Sequence, residues 1–169
     1  NGEEDYDAEG GDDILIADAG VERNAGAGGY DWVTHERDTL AADADLTRRL
    51  ALPLPANVLR DRYQEAEALS GGPLADTLRG DDTVPVDVTG GGLTGCDVLD
   101  QDGIDRIAGL GSLLPAPSSP LGPVEAASVN GECPLSGPVW GDGNVVLGGA
   151  GSDLMEGRGA DDVLDGDRY

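Results

Sequence analysis

The chain has no lysine and no phenylalanine, and only one histidine, one methionine and two cysteines in 169 residues. Each shortage excludes something. Lys+Arg is 10 against 34 Asp+Glu, for a formal charge of −24, so the positive surface that phosphate binding needs is missing. Nucleic acid and anionic membrane surfaces are therefore excluded as partners. No apolar run approaches the roughly 18 residues of a spanning helix, so no membrane insertion is expected. With 38% hydrophobic and 4% aromatic residues, core burial alone is a weak counterweight to chain entropy. No leader segment is visible and residue 1 is not Met, so the sequence reads as a processed product or a piece of something longer.

What the chain has is acid and glycine, 34 Asp+Glu and 28 Gly. The acids alternate with glycine and aliphatics and do not form blocks, which argues against a disordered acidic tail. Near the C-terminus the sequence divides into nines: VWGDGNVVL (139–147), GGAGSDLME (148–156), GRGADDVLD (157–165), then GDRY. The sixth place reads Asn144, Asp153, Asp162, and the eighth Val146, Met155, Leu164. Near the N-terminus AEGGDDILI (8–16), ADAGVERNA (17–25) and GAGGYDWVT (26–34) give Asp13, Glu22, Asp31 at the sixth place and Leu15, Asn24, Val33 at the eighth. GGPLADTLR (71–79) is a seventh copy, with Asp76 and Leu78. The copies centred on Glu22 and Asn144 are poor matches.

This pattern resembles the G-G-x-G-x-D-x-U-x nonapeptide of RTX (haemolysin-type) calcium-binding repeats. The resemblance implies an all-β chain folded as a parallel β-roll, an RTX-type β-helix. The first six residues of each repeat form a turn, in which glycine accepts angles that other residues resist. The last three form a strand whose eighth residue points inward and whose seventh and ninth point out. Two repeats make one coil, so repeats n and n+2 stack. Calcium takes roughly six to eight oxygens, and stacked turns offer it backbone carbonyls and sixth-place carboxylates. Those carboxylates crowd together only if a cation neutralises them.

The register then predicts the ligands. Asp13 and Asp31 flank one Ca2+ ion; Asn144 and Asp162 flank a weaker one; Asp153 pairs with the turn at Gly166-Asp167. Asp76 is expected over Glu22, with Asp81 or Asp82 near Asp31. Carbonyls of Gly10, Gly11, Gly26, Gly28, Gly148, Gly157 and Gly159 complete the shells, so several ions are expected. Asn24 occupies an inward slot and, if buried, needs partners.

Residues 1–169 read as a single domain, with repeats at 8–34, 71–79 and 139–169 and a long irregular insertion, 35–138, that contains repeat 71–79. Within it VLRDRYQEAEAL (58–69) has helix-favouring composition, but EALSGGPLADTLRGDD looks like a strand feeding an RTX turn, which favours strand at 66–70. DQDGIDRIAGLGSLL (100–114) fails as an EF-hand: with Gly103 at place 6, Val98 falls at place 1 and Gly109 at place 12. A short helix starting near Asp102, capped by that residue, is expected there. PAPSSPLGP (115–123) reads as a surface loop. Cys96 and Cys133 are expected to pair if the protein is extracellular, worth about 3–4 kcal/mol.

No catalytic constellation is visible. His35 is the sole histidine, His35-Glu36 lacks the second His of a zinc protease, and no G-x-S-x-G accompanies it. It reads as a turn or strand-end residue, and the chain as no enzyme. The strings GGDDILIADAGVERNAGAGGYDWVTHERDTLAADADL, DRYQEAEALSG, DTLRGDD, GCDVLDQDGIDRIAGL and GNVVLGGAGSDLMEGRGADDVLDGD resemble, in the same order, a region of bacterial animal-type haem peroxidase family proteins that carry haemolysin-type calcium repeats. The resemblance implies a secreted, extracellular parent, not peroxidase chemistry in these residues. The expected function is that of a calcium-binding structural module, its partners being calcium and either neighbouring domains of a parent chain or other copies of itself. The alternative is an adhesive or matrix-forming module.

Overall fold

A computed structural model describes residues 4–50, 61–85, 96–114 and 140–167. Eleven strands of three residues each are present among them: β1 Asp5–Asp7, β2 Ile14–Ile16, β3 Arg23–Ala25, β4 Trp32–Thr34, β5 Asp43–Asp45, β6 Arg62–Gln64, β7 Ala68–Ser70, β8 Thr77–Arg79, β9 Val145–Leu147, β10 Leu154–Glu156 and β11 Val163–Asp165. One helix, α1, spans Gln101–Arg106, followed by a 3-10 turn at Leu110–Ser112. The fold is all-β, and every strand pair is parallel. No helix among the described residues is long and apolar enough to cross a membrane.

The strands lie in three sheets, ordered β1-β3-β6, β10-β8-β5 and β11-β9-β7-β4-β2. Neighbours in the chain lie in different sheets, as a nine-residue turn–strand period requires: β1 to β4 alternate between the first sheet and the five-stranded one, and β7 to β11 between the five-stranded sheet and the other. Register follows the eighth place. Leu15 pairs with Val33, Val33 with Leu69, Leu69 with Val146, and Val146 with Leu164. Leu15, Val33, Leu69 and Val146 meet Ala44, Tyr63 and Leu78 of the other two sheets in one core. Burying each large apolar side chain contributes about 1.5–3 kcal/mol.

The insertion does two structural jobs. Segment 43–49 adds a strand: β5 pairs with β8, Asp43 to Thr77, while Arg49 bridges Tyr63 of β6. Residues 96–114 and Trp140 cover the outer face of the five-stranded sheet. There Trp32, Ala68, Val145 and Leu147 are buried against Leu99, Leu110 and Trp140. The expectation that seventh- and ninth-place residues face out is therefore corrected for the middle of this sheet, which is buried on both faces. Tyr30 and Trp140 meet edge to face at 6.1 Å.

The strand expected at 66–70 is present at Ala68–Ser70, as β7, with no helix there. α1 is capped by Asp100, whose carboxylate accepts from the Gly103 N–H, and not by Asp102 as expected. Cys96 is buried and disulfide-bonded; its expected partner, Cys133, and the 115–123 loop lie outside the described residues.

Candidate functional site

The turns leading into the strands form two edges, and each edge is a ladder of acids. On the edge feeding the five-stranded sheet, the Asp13 N–H donates to Asp31 Oδ1 at 3.0 Å and the Asp31 N–H to Glu67 Oε2 at 2.8 Å. Asn144 Nδ2 donates to the Glu67 carbonyl at 3.1 Å, and the Asn144 N–H to Asp162 Oδ1 at 2.8 Å. The order is Asp13, Asp31, Glu67, Asn144, Asp162. Both pairings expected on this edge, Asp13 with Asp31 and Asn144 with Asp162, are thus neighbours in space. Asp31, Glu67 and Asp162 each use one oxygen to accept the N–H of the adjacent turn. Among the described residues, Oδ2 of Asp13 and Oδ2 of Asp31 are buried with no donor.

On the other edge the Glu22 N–H donates to Asp61 Oδ1 at 2.8 Å, the Ala42 N–H to Asp76 Oδ1 at 2.8 Å, and the Asp76 N–H to Asp153 Oδ1 at 2.9 Å. The Glu4 carbonyl accepts from Arg23 N–H at 2.9 Å, which sets Glu4 beside Glu22. The expectation that Asp76 stacks over Glu22 is corrected: Asp61 takes that place, and the inserted β5 puts Ala42 next to Asp76. Likewise Asp81 and Asp82 do not adjoin Asp31. Glu67 fills the neighbouring turn, Asp81 donates its N–H to Asn144 Oδ1 at 2.8 Å, and Asp82 Oδ1 accepts from Gly159 N–H at 2.9 Å.

The first-place glycines mark where oxygens converge. A Cβ on Gly26 would overlap Asp31 Oδ2 and the Glu65 carbonyl oxygen. A Cβ on Gly148 would lie 2.7 Å from both Asp153 Oδ2 and the Gly166 carbonyl oxygen. One carboxylate oxygen and one carbonyl of the adjacent turn thus meet at each, in space that a side chain would fill. The same holds at Gly71, beside Asp76 Oδ2 and the Gly148 carbonyl, while at Gly80 the carboxamide Oδ1 of Asn144 meets the Gly157 carbonyl. The turn after β11 offers Asp153 the Gly166 carbonyl, whereas Asp167 turns its N–H back to Asp165 at 3.0 Å. Of the other expected carbonyls, Gly28's already accepts from Gly11 N–H at 2.7 Å, Gly10 bridges Gly28, and Gly11's lies against Gly29.

Electrostatics follows from this crowding. Burial pushes Asp31 up to about 8, against the Asp13 N–H that lowers it, with Asp13, Asp12 and Asp97 adding repulsion. Burial, then Asp61, pushes Glu22 up to about 9. Glu67 is raised well above the carboxylate range by burial, against the Asp31 N–H, with Asp31, Asp97 and Asp81 repelling it. Asp162 is raised by burial, against the Asn144 N–H. Asp97, from the insertion, is raised to about 6 by burial although it accepts from Gly29 N–H at 3.3 Å. Hard, oxygen-only donors that are buried and hard to ionise without a counter-charge fit a divalent calcium-type cation.

The strongest concentration is at Glu22. Ligand atoms of Glu4, Asp18 and Glu22 lie within 4.8 Å of one another. Both Glu22 oxygens, Glu4 Oε2 and Asp18 Oδ1 are buried with no donor among the described residues. Burial, then Glu22, Glu4 and Asp18, raise the nearby Tyr6 hydroxyl. Asn24 is fully buried with no partner for either side-chain atom, so the requirement placed on it by the sequence goes unmet among the described residues. His35 follows β4 directly, as a strand-end residue; Nδ1 is 3.0 Å from Asp38 Oδ2, and Nε2 is 3.3 Å from the Tyr63 hydroxyl.

Sequence reasoning missed Glu4, Asp18, Asp61 and Glu67. Three of them carry a readable signal: Glu4, Asp61 and Glu67 each directly precede a three-residue strand, as Asp13 and Asp31 do. Comparison with family models, curated proteins and solved structures finds no match for this chain.

Proposed function

We propose that this chain is a calcium-binding structural module, a parallel β-roll of the RTX type that folds when Ca2+ fills the spaces between its stacked turns. The observation that carries the reading is the Asp13–Asp31–Glu67 run. One oxygen of Asp31 ties its turn to Asp13, and the other is buried beside the Glu65 carbonyl, without a donor among the described residues. A calcium ion between turns supplies the missing partner to such oxygens and removes the repulsion along each ladder. Parallel strands in register at the eighth place, and chain-adjacent strands in different sheets, support the roll. The sequence resemblance supports a secreted, extracellular parent of the haem-peroxidase-like type. The reading assigns no catalysis to this chain.

Because the ligating carboxylates repel one another without the ion, the free energy of binding becomes free energy of folding. Circular dichroism of protein in EGTA and in millimolar calcium tests this. The expected result is a cooperative melt that appears, or moves up sharply, with calcium. A melt that is cooperative and unchanged in EGTA overturns the reading.

A further inference from the structure

Asp18 and Glu22 stand at the second and sixth places of 17–25, a repeat that matches the nonapeptide poorly. The second place of 148–156 is Gly149; here it is an acid. Glu4, eighteen residues before Glu22, holds the same place in the preceding coil, since the Glu4 carbonyl accepts from Arg23 N–H at the start of β3. Three side-chain carboxylates therefore meet, whereas the first-place glycine sites bring together one carboxamide or carboxylate oxygen and one carbonyl. Oxygens on one calcium ion, each about 2.3–2.6 Å from it, stand no more than about 5 Å apart; the separation here is within 4.8 Å. Glu22 is 0% exposed, and among the described residues neither of its oxygens has a donor. Among the described residues no arginine pairs with any of the three; Arg23 is engaged with Asp5 at 3.1 Å.

We propose that Glu4, Asp18 and Glu22 form a separate, carboxylate-only site for a hard cation, calcium or a trivalent lanthanide, that binds more tightly than the sites between turns. The proposal rests on the calcium reading of the chain and adds a site of a different kind to it. Its strength comes from charge: three carboxylates exceed the ion's two positive charges, where a turn site offers fewer carboxylates and neutral carbonyls. Affinity of oxygen sites rises with ligand charge. A trivalent lanthanide matches three carboxylates better still. Asp18 is the residue that distinguishes the site, because it brings a third acid where a glycine would bring none.

Tyr6, on β1 opposite Asn24 of β3, supplies a local reporter. Terbium luminescence excited through tyrosine, with bound calcium counted by equilibrium dialysis, tests the site in the full chain. The expected result is an emission component that saturates first, is lost in Tyr6→Phe without change in calcium count, and is competed by calcium. Glu22→Gln should remove one calcium. Asp18→Gly, which restores the repeat's own residue and so preserves the turn, should weaken terbium binding by about tenfold or more. Asp31→Asn should lose a different ion and keep the Tyr6 component. If Glu22→Gln and Asp18→Gly keep the full calcium count and wild-type terbium affinity while Asp31→Asn loses an ion, this site is refuted and the turn sites stand. If the wild-type chain binds no calcium, both readings fall.

Discussion

Metal-free protein should become less stable as pH rises from 5 to 7, the reverse of the usual behaviour of paired carboxylates. Glu22, pushed up to about 9, and Asp31, pushed up to about 8, set its size, and Glu67 and Asp97, also raised by burial, add to it in the same direction. Glu22 and Asp31 are protonated in the metal-free fold near neutral pH, while in the unfolded chain they titrate near their ordinary values of about 4. A folded-state pKa above the unfolded one gives stability that is fully present below the unfolded pKa. It is lost as pH climbs through the window up to the folded value. Within that window each group costs about 1.4 kcal/mol per pH unit, so two groups over two units cost on the order of 5 kcal/mol. That is comparable with the whole stability of a small domain, about 5–15 kcal/mol, and corresponds to a fall of roughly 10–20 °C in melting temperature for a chain of this size. Asp45 works the other way: burial raises it, but hydrogen bonds from Arg158 and Thr47 outweigh that and lower it to about 2. Its contribution is lost only as pH falls below about 4, outside the window. With calcium saturating, the carboxylates are ionised in the fold and the decline should vanish. The assay is thermal melting of protein stripped on a chelating resin, at pH 5, 6 and 7, with and without added calcium. Glu22→Gln should flatten the metal-free slope by about 1.4 kcal/mol per unit and stabilise the metal-free fold at pH 7. A metal-free melting temperature that is flat or rises from pH 5 to 7 refutes the reasoning.

Two further outcomes are open to measurement. Ala27 (φ 74°) and Ala160 (φ 73°) hold left-handed backbone at places where other turns carry glycine, such as Gly149 and Gly151. Left-handed backbone costs an L-residue roughly 1–2 kcal/mol, and glycine gives back about half of the relief in entropy, so Ala27→Gly and Ala160→Gly should each stabilise the calcium form by about 0.5–1 kcal/mol in urea denaturation; destabilisation by either would count against the turn geometry. Arg158 makes a two-bond pair with Asp45, at 2.7 and 3.0 Å, and reaches the Gly80 carbonyl at 2.8 Å, tying the last turns to the inserted strand. Arg158→Ala should cost on the order of 2 kcal/mol, and a double-mutant cycle with Asp45→Asn should show most of it as coupling; simple additivity would mean the pair is not what holds β5.

The period was legible and the interruptions were not, for a physical reason. Leu15, Val33, Val146 and Leu164 could be placed in one register because a fixed turn length sets where each inward residue falls. The same spacing brought Asp13 to Asp31 and Asn144 to Asp162. Once residues are inserted, chain distance no longer measures stacking distance, and the arithmetic that set Asp76 over Glu22 had no means of knowing that 43–49 would add a strand and Asp61 would take the place. What survives an insertion is local. Where turns stack, an acceptor on the residue that enters a strand can satisfy the N–H of the adjacent turn, as Asp31 does for Asp13 and Asp153 for Asp76. Asp61 before RYQ and Glu67 before ALS do so without any glycine pattern around them, and Glu4 stands at the same place before DYD. An acid directly before a three-residue strand with an inward-pointing centre is thus the more durable signature than the nonapeptide itself. It accounts for why the ladder runs unbroken through Glu67, where no repeat could be read. Asp18 has no such signal: it enters no strand, and only the fold brings it to Glu4 and Glu22.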